Sequence, residues 1–164
     1  MTSKERIQKI YSEYLNSITP LIERYEIFEN KYPVGIFNEI RALFTHIAKA
    51  ENMSGDERTR EINKAESHVT RLLRDCYKYN CVALENKYIE SMAVLQKKVC
   101  DSNSLTELLK KHNAALDALF VAKCLESSIE AYQKENEIYE NYKKAFDIYN
   151  EIREQLCLLI ESAS

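Results

Sequence analysis

Glycine and proline are nearly missing: the chain has 2 of each in 164 residues, and no tryptophan. A sheet protein of this length turns often and uses both residues to do so, which excludes most strand-rich folds. With 2 Gly there is no phosphate-cradling loop, and none of the 3 histidines belongs to an HExxH pair. No GxSxG or kinase-type motif occurs, and no Glu-x-x-His pair supports a di-iron bundle. The 5 cysteines (Cys76, Cys81, Cys100, Cys124 and Cys157) are odd in number and include no CxxC. They read as reduced thiols at apolar helical positions, not as a disulfide framework or a zinc site. No segment approaches the roughly 20 uncharged apolar residues of a membrane span, and MTSKERIQKI has no signal-type apolar run. The expectation is a cytoplasmic protein without a membrane partner, a metal or a cofactor.

What is present is charge and helical periodicity. Charged residues make up 30% of the chain and hydrophobic ones 45%. This composition reads as all-α: an elongated bundle of four or five helices with long third and C-terminal helices, forming a single domain over residues 1–164. A narrow bundle leaves apolar flank uncovered, which favours self-association. The net charge of -3 does not attract nucleic acid overall. Residues 1–52 carry 7 basic and 7 acidic groups, 53–100 carry 9 and 7, and 101–164 carry 7 and 12.

In chain order, Ser3 is the expected first N-cap, and Ile7, Ile10, Tyr14, Ile18, Leu21, Ile22 and Tyr25 repeat at helical spacing. Pro20 predicts a kink or break near Ile18 to Pro20. A second helix is expected over Val34 to Glu51, ending at Asn52 to Gly55. A third, restarted at Asp56, keeps its stripe to Cys100, a rod of about 60 Å or more if unbroken, with Asn80 interrupting. DSNS at 101–104 reads as a loop, and Ser104 with Glu107 as a capping box for the fourth helix. Its stripe weakens through residues 133–137 and returns at Ala145, Tyr149, Ile152, Leu156 and Leu159, spacing that suits coiled-coil-like packing. One helix or two is open there.

The stretch Tyr32 to Asn52 concentrates the chemistry. At about 100° per residue, Ile36, Phe37, Ile40, Leu43, Phe44 and Ile47 fall on one arc roughly 120° wide, expected to face the core. Arg41 and His46 stand on its opposite shoulders, with Asn38, Ala42, Thr45 and Lys49 between them on the polar side. The two are about 140° apart round the helix, so they serve one phosphate only if Arg41 reaches round or a second protomer supplies its copy across a two-fold axis. The bland reading has them bordering the core and satisfied by Glu39 or by acids on neighbouring helices. A second strip, Lys64, His68, Arg71, Asp75 and Lys78, lies within about 80° of arc. It reads as a phosphate-binding strip or as a salt-bridged surface with an Arg71 to Asp75 pair and His68 packed at its edge. If the second and third helices pack antiparallel, strip and pair come close together.

NEIRALFTHIAKA, preceded by Tyr32 and Pro33 and followed by KAESHVTRLLRDCYK, resembles the all-helical HEPN superfamily, marked by an Arg followed by four to six residues and then a His. The resemblance covers about residues 30–80. It implies a homodimer acting on RNA as a metal-independent endoribonuclease of a toxin or antiviral defence system. In that role His46 handles protons as the 2′-hydroxyl attacks and Arg41 stabilises the phosphorane-like transition state. Asn38, Lys49, Lys64, His68, Arg71 and Lys78 would then bind RNA or phosphate. Active members usually carry a polar residue after the Arg, where this chain has Ala42. The alternative is a non-catalytic helical interaction or dimerisation module that binds a protein or nucleotide partner. The 11 Tyr include Tyr132, Tyr139, Tyr142 and Tyr149 among acidic neighbours. They suit half-buried bundle positions, ring inside and hydroxyl wet. That acidic C-terminal helix is the expected face for a protein partner or antitoxin.

Overall fold

A computed structural model of the chain describes residues 1–95 and 102–162. Its helices are α1 (Ser3–Glu13), α2 (Thr19–Glu29), α3 (Val34–Glu51), α4 (Gly55–Leu95), α5 (Ser102–Glu126) and α6 (Glu135–Ser162). A π-helical turn, Tyr14–Ile18, joins α1 to α2, and a short 3-10 turn, Ala131–Lys134, precedes α6. No strand occurs among the described residues, so the fold is all-α. The chain separates into two compact units, Met1–Tyr79 and Asn80–Ser164, and the boundary falls within α4. Asn80, the residue that interrupts the α4 stripe, is fully buried at that boundary.

In the first unit α1 begins one residue earlier than Ser3 would place it. Thr2 is the N-cap: its Oγ1 accepts from Glu5 N at 3.2 Å, and its own N–H donates to Glu5 Oε2 at 2.7 Å. This reciprocal box puts an acid at the third position, where Ser3 would have put Arg6. At Pro20 the helix widens without breaking. Proline has no N–H and its ring crowds the carbonyl a turn back. The chain answers with a π turn in which the Thr19 N–H reaches Tyr14 O and Thr19 Oγ1 donates to the same oxygen at 2.9 Å. Asn30, in the left-handed region at φ 50, then ends α2.

α3 has the expected bounds, but its core arc is turned. Ile36, Leu43, Ile47 and Ala50 are buried, whereas Phe37 is 56% exposed and Ile40 and Phe44 are half-buried. The buried set centres near Leu43, which leaves the two Phe on the outer shoulder, where Phe44 meets Tyr11 of α1 and Tyr14 of the π turn, and Phe37 meets Tyr32. Gly35 sits where a Cβ would lie 3.1 Å from the Tyr79 hydroxyl, so its lack of a side chain admits that ring. α3 and α4 run antiparallel: His46 meets Glu61, and Glu39 meets His68, seven positions back on one helix and seven forward on the other. α1 runs parallel to α4, with Arg6 on Glu66 at 2.6 Å. Between them lies a groove of about 400 Å³ with Ile10, Val69 and Leu73 along it.

In the second unit the polar stretch near residue 130 divides what could have been one long helix. α5 and α6 fold back on each other, tied by Lys111 to Glu151 at 3.0 Å and by the Tyr142 hydroxyl donating to Glu126 at 2.9 Å. Ile138, Tyr142, Ala145, Tyr149, Ile152 and Leu156 form the buried seam of α6. Tyr142 and Tyr149 are therefore fully inside, not half-buried, while Tyr132 is exposed. The Cys81 thiol donates to Tyr142 O at 3.5 Å. The expected loop at 101–104 is helical from Ser102, so Ser104 lies inside α5. Asp101, Cys100 and Val99 lie outside the described residues. Cys76 and Cys81 are core thiols as expected, but Cys124 and Cys157 are exposed. Among the described residues no helix is long and apolar enough to cross a membrane.

Candidate functional site

The hairpin of α3 and α4 gathers two imidazoles and two carboxylates. Glu39 and His46 are seven residues apart and share one flank of α3, two turns being nearly 720°. Glu61 and His68 have the same relation on α4. Antiparallel packing then sets each histidine opposite an acid. His46 Nδ1 lies 2.6 Å from Glu61 Oε2, and His68 Nδ1 lies 2.7 Å from Glu39 Oε2. The two rings stack, with centroids 5.1 Å apart and planes 21° from parallel.

Each acid also holds a cation. Lys64 Nζ donates to Glu61 Oε1 at 2.5 Å, and Arg71 Nε donates to Glu39 Oε2 at 3.1 Å. Glu61 is buried, yet the Lys64 bond first and the His46 bond second hold its carboxyl down to about 2. Burial alone would raise Glu39, but hydrogen bonds from His68 and Arg71 outweigh it and leave its carboxyl below the usual range. An ionised carboxylate only accepts, so His46 carries a proton on Nδ1 toward Glu61. The remaining ring nitrogens differ. Arg71 Nη2 lies 2.8 Å from His68 Nδ1 and 3.3 Å from its Nε2, whereas His46 Nε2 has no hydrogen-bond partner among the described residues.

Of the residues singled out in the sequence, His46, Lys64, His68 and Arg71 thus come together. Arg41 is exposed on the far side of α3 and forms no ion pair among the described residues; only its carbonyl is engaged, by Thr45 Oγ1 at 2.7 Å. Asn38 and Lys49 are exposed beside it. Lys78 is half-buried about 10 Å farther along α4 than Arg71. Arg71 pairs with Glu39 and not with Asp75, whose carboxylate takes Arg74 at 2.9 Å. Cross-helix pairing wins because Glu39 offers one oxygen to both Arg71 and His68.

Glu61 was not evident from sequence. Its signal was the shared sevenfold offset: acid to histidine on α3, and acid to histidine again on α4. A second unforeseen group is His112 in the other unit. It stacks on Tyr88 at 4.1 Å and meets Tyr149 edge-on at 5.9 Å. His112 Nδ1 and the Tyr149 hydroxyl are buried without a hydrogen-bond partner among the described residues. Burial lowers the His112 pKa, with Glu85 opposing. Among the described residues no three His, Cys, Asp or Glu side chains converge as a metal-ligand set. Comparison with protein-family models, with curated proteins and with solved structures finds no match to this chain, so its function is read from the geometry of the hairpin.

Proposed function

We propose that the chain is a non-catalytic helical interaction module for a protein partner, in which the His46–Glu61 and His68–Glu39 pairs hold α3 against α4. The observation that carries this reading is internal neutralisation. Lys64 and Arg71, two of the cations expected to attract phosphate, are already bound by Glu61 and Glu39. A cation committed to a carboxylate contributes little counterion release on nucleic acid. Arg41 and His46 also face different sides of α3, so one chain does not bring this guanidinium and this imidazole to a single phosphate. The test is incubation of the purified protein with total RNA, including tRNA, in the absence of metal. Intact RNA is the expected result. Cleavage that disappears in His46→Ala would replace this reading.

One observation favours a second reading, the homodimeric endoribonuclease of a toxin or defence system that the HEPN resemblance implies. Glu61 fixes the Nδ1–H of His46 and leaves Nε2 open, the arrangement of an oriented general base. Arg41 is exposed and forms no ion pair among the described residues. In that case Arg41 of one protomer would serve the phosphate handled by His46 of the other. His46→Ala would then abolish cleavage and any growth toxicity while leaving the dimer assembled, with a melting temperature lowered by loss of the Glu61 bond.

A further inference from the structure

α5 is apolar on two sides. One is buried, with Leu108, Ala115 and Leu119 among its residues. The other carries Leu105, Leu109, Leu116 and Phe120, which fall within about 60° of arc. Leu105 is half-buried, and Leu109, Leu116 and Phe120 are 48%, 36% and 70% exposed. The spacing of this outer stripe is 4, 7, 4, which reads the same in both directions about the point between His112 and Asn113. A stripe of that symmetry is complementary to its own reversed copy, as an isologous two-fold contact requires.

The charges beside it have the same property. Lys110 and Asp117 are exposed on one flank, and neither forms an ion pair among the described residues. Two turns apart, about 10 Å along the axis, they do not neutralise each other within one chain. In an antiparallel pair of α5 helices centred on the stripe, Lys110 falls within about 3 Å along the axis of the partner's Asp117, and symmetry makes the contact twice.

We infer that the outer face of α5 is the contact between two copies of this chain, packed antiparallel about a two-fold axis. Leu109 meets the partner's Leu116, Leu105 meets the partner's Phe120, and Lys110 pairs with the partner's Asp117. The inference is independent of whether the hairpin of α3 and α4 acts on RNA.

Sedimentation velocity of the full chain over a wide concentration range tests it. The wild type is expected to dimerise reversibly, and Leu116→Glu or Phe120→Glu to raise the dissociation constant about tenfold or more. Both side chains are exposed, so far-ultraviolet circular dichroism should show an unchanged helical fold. Lys110→Glu and Asp117→Lys should each weaken the dimer, and the double charge swap should restore it. A monomer at every concentration overturns the inference. So does a dimer indifferent to Leu116→Glu, which would place the contact elsewhere. A double swap no tighter than the single reversals overturns the antiparallel pairing. RNA cleavage is a separate readout, so failure here leaves the reading of the hairpin unaffected.

Discussion

His46 and His68 stack face to face at 5.1 Å, one from each arm of an antiparallel hairpin, and each is tethered through Nδ1 to a carboxylate on the opposite arm. The four side chains form two crossed pairs and not one relay. Removing one acid therefore loosens one histidine directly and the other only through the stack.

The first prediction concerns acid. The Glu61 carboxyl is depressed from 4.5 to about 2 in the folded chain. A depressed acid contributes stability that is complete above its unfolded value and disappears as pH falls through its folded one. The melting temperature should decline as pH drops from about 4.5 toward 2, and Glu61→Gln should flatten that part of the profile. Glu39→Gln should do the same in the same direction, since its carboxyl is also lowered. An unchanged acid limb in Glu61→Gln would show that the pair does not couple to folding.

The second tests the turned arc of α3. Leu43 is fully buried and Phe37 is 56% exposed. Leu43→Ala should cost about 2–5 kcal/mol in urea denaturation, and Phe37→Ala well under half as much. Equal losses would mean that Phe37 is packed against something, a second copy included.

The third concerns Gly35. Alanine in a helix interior gains about 1 kcal/mol over glycine; at Gly35, the second residue of α3, the gain is smaller, and its Cβ would lie 3.1 Å from the Tyr79 hydroxyl. Gly35→Ala should stabilise more in a Tyr79→Phe background than in the wild type. A double-mutant cycle on melting temperature reads the difference directly. Additive effects would remove the hydroxyl as the reason for glycine.

The fourth concerns His112, whose pKa burial lowers from 6.5. A base depressed in the folded state binds fewer protons there than in the unfolded chain, so stability is lost as pH falls below about 6.5. His112→Phe keeps an aromatic ring against Tyr88 and should flatten the stability profile just below that pH. A profile identical to wild type would show that the ring titrates freely.

The bounds of α3 could be read in advance because Pro33 pre-sets an entry and Asn52 to Gly55 supplies an exit, both local effects. The phase of its buried arc could not. A helical wheel weighs Phe37 and Leu43 alike, and only the positions of α1 and α4 decide which shoulder is covered. Pro20 signalled a disturbance, but its form depends on Thr19 supplying two bonds to one carbonyl, which spacing does not reveal. In the same way His46 and His68 were visible as residue types, whereas Glu61 was one acid among 26 Asp and Glu. It became distinct only through the register of two helices. The cations Lys64 and Arg71 stood out for their charge, and what cancelled them came from outside their own strip or from its edge.

Cys76 and Cys81 stand five positions apart on α4, yet the first packs within Met1–Tyr79 and the second within Asn80–Ser164. Burial pushes both thiols up to about 12, so neither reacts as a thiolate while its surroundings stay closed. The helix thereby carries two natural clocks, one in each unit. Under slow alkylation, their separate labelling rates report how often each half of the protein opens, without a single substitution.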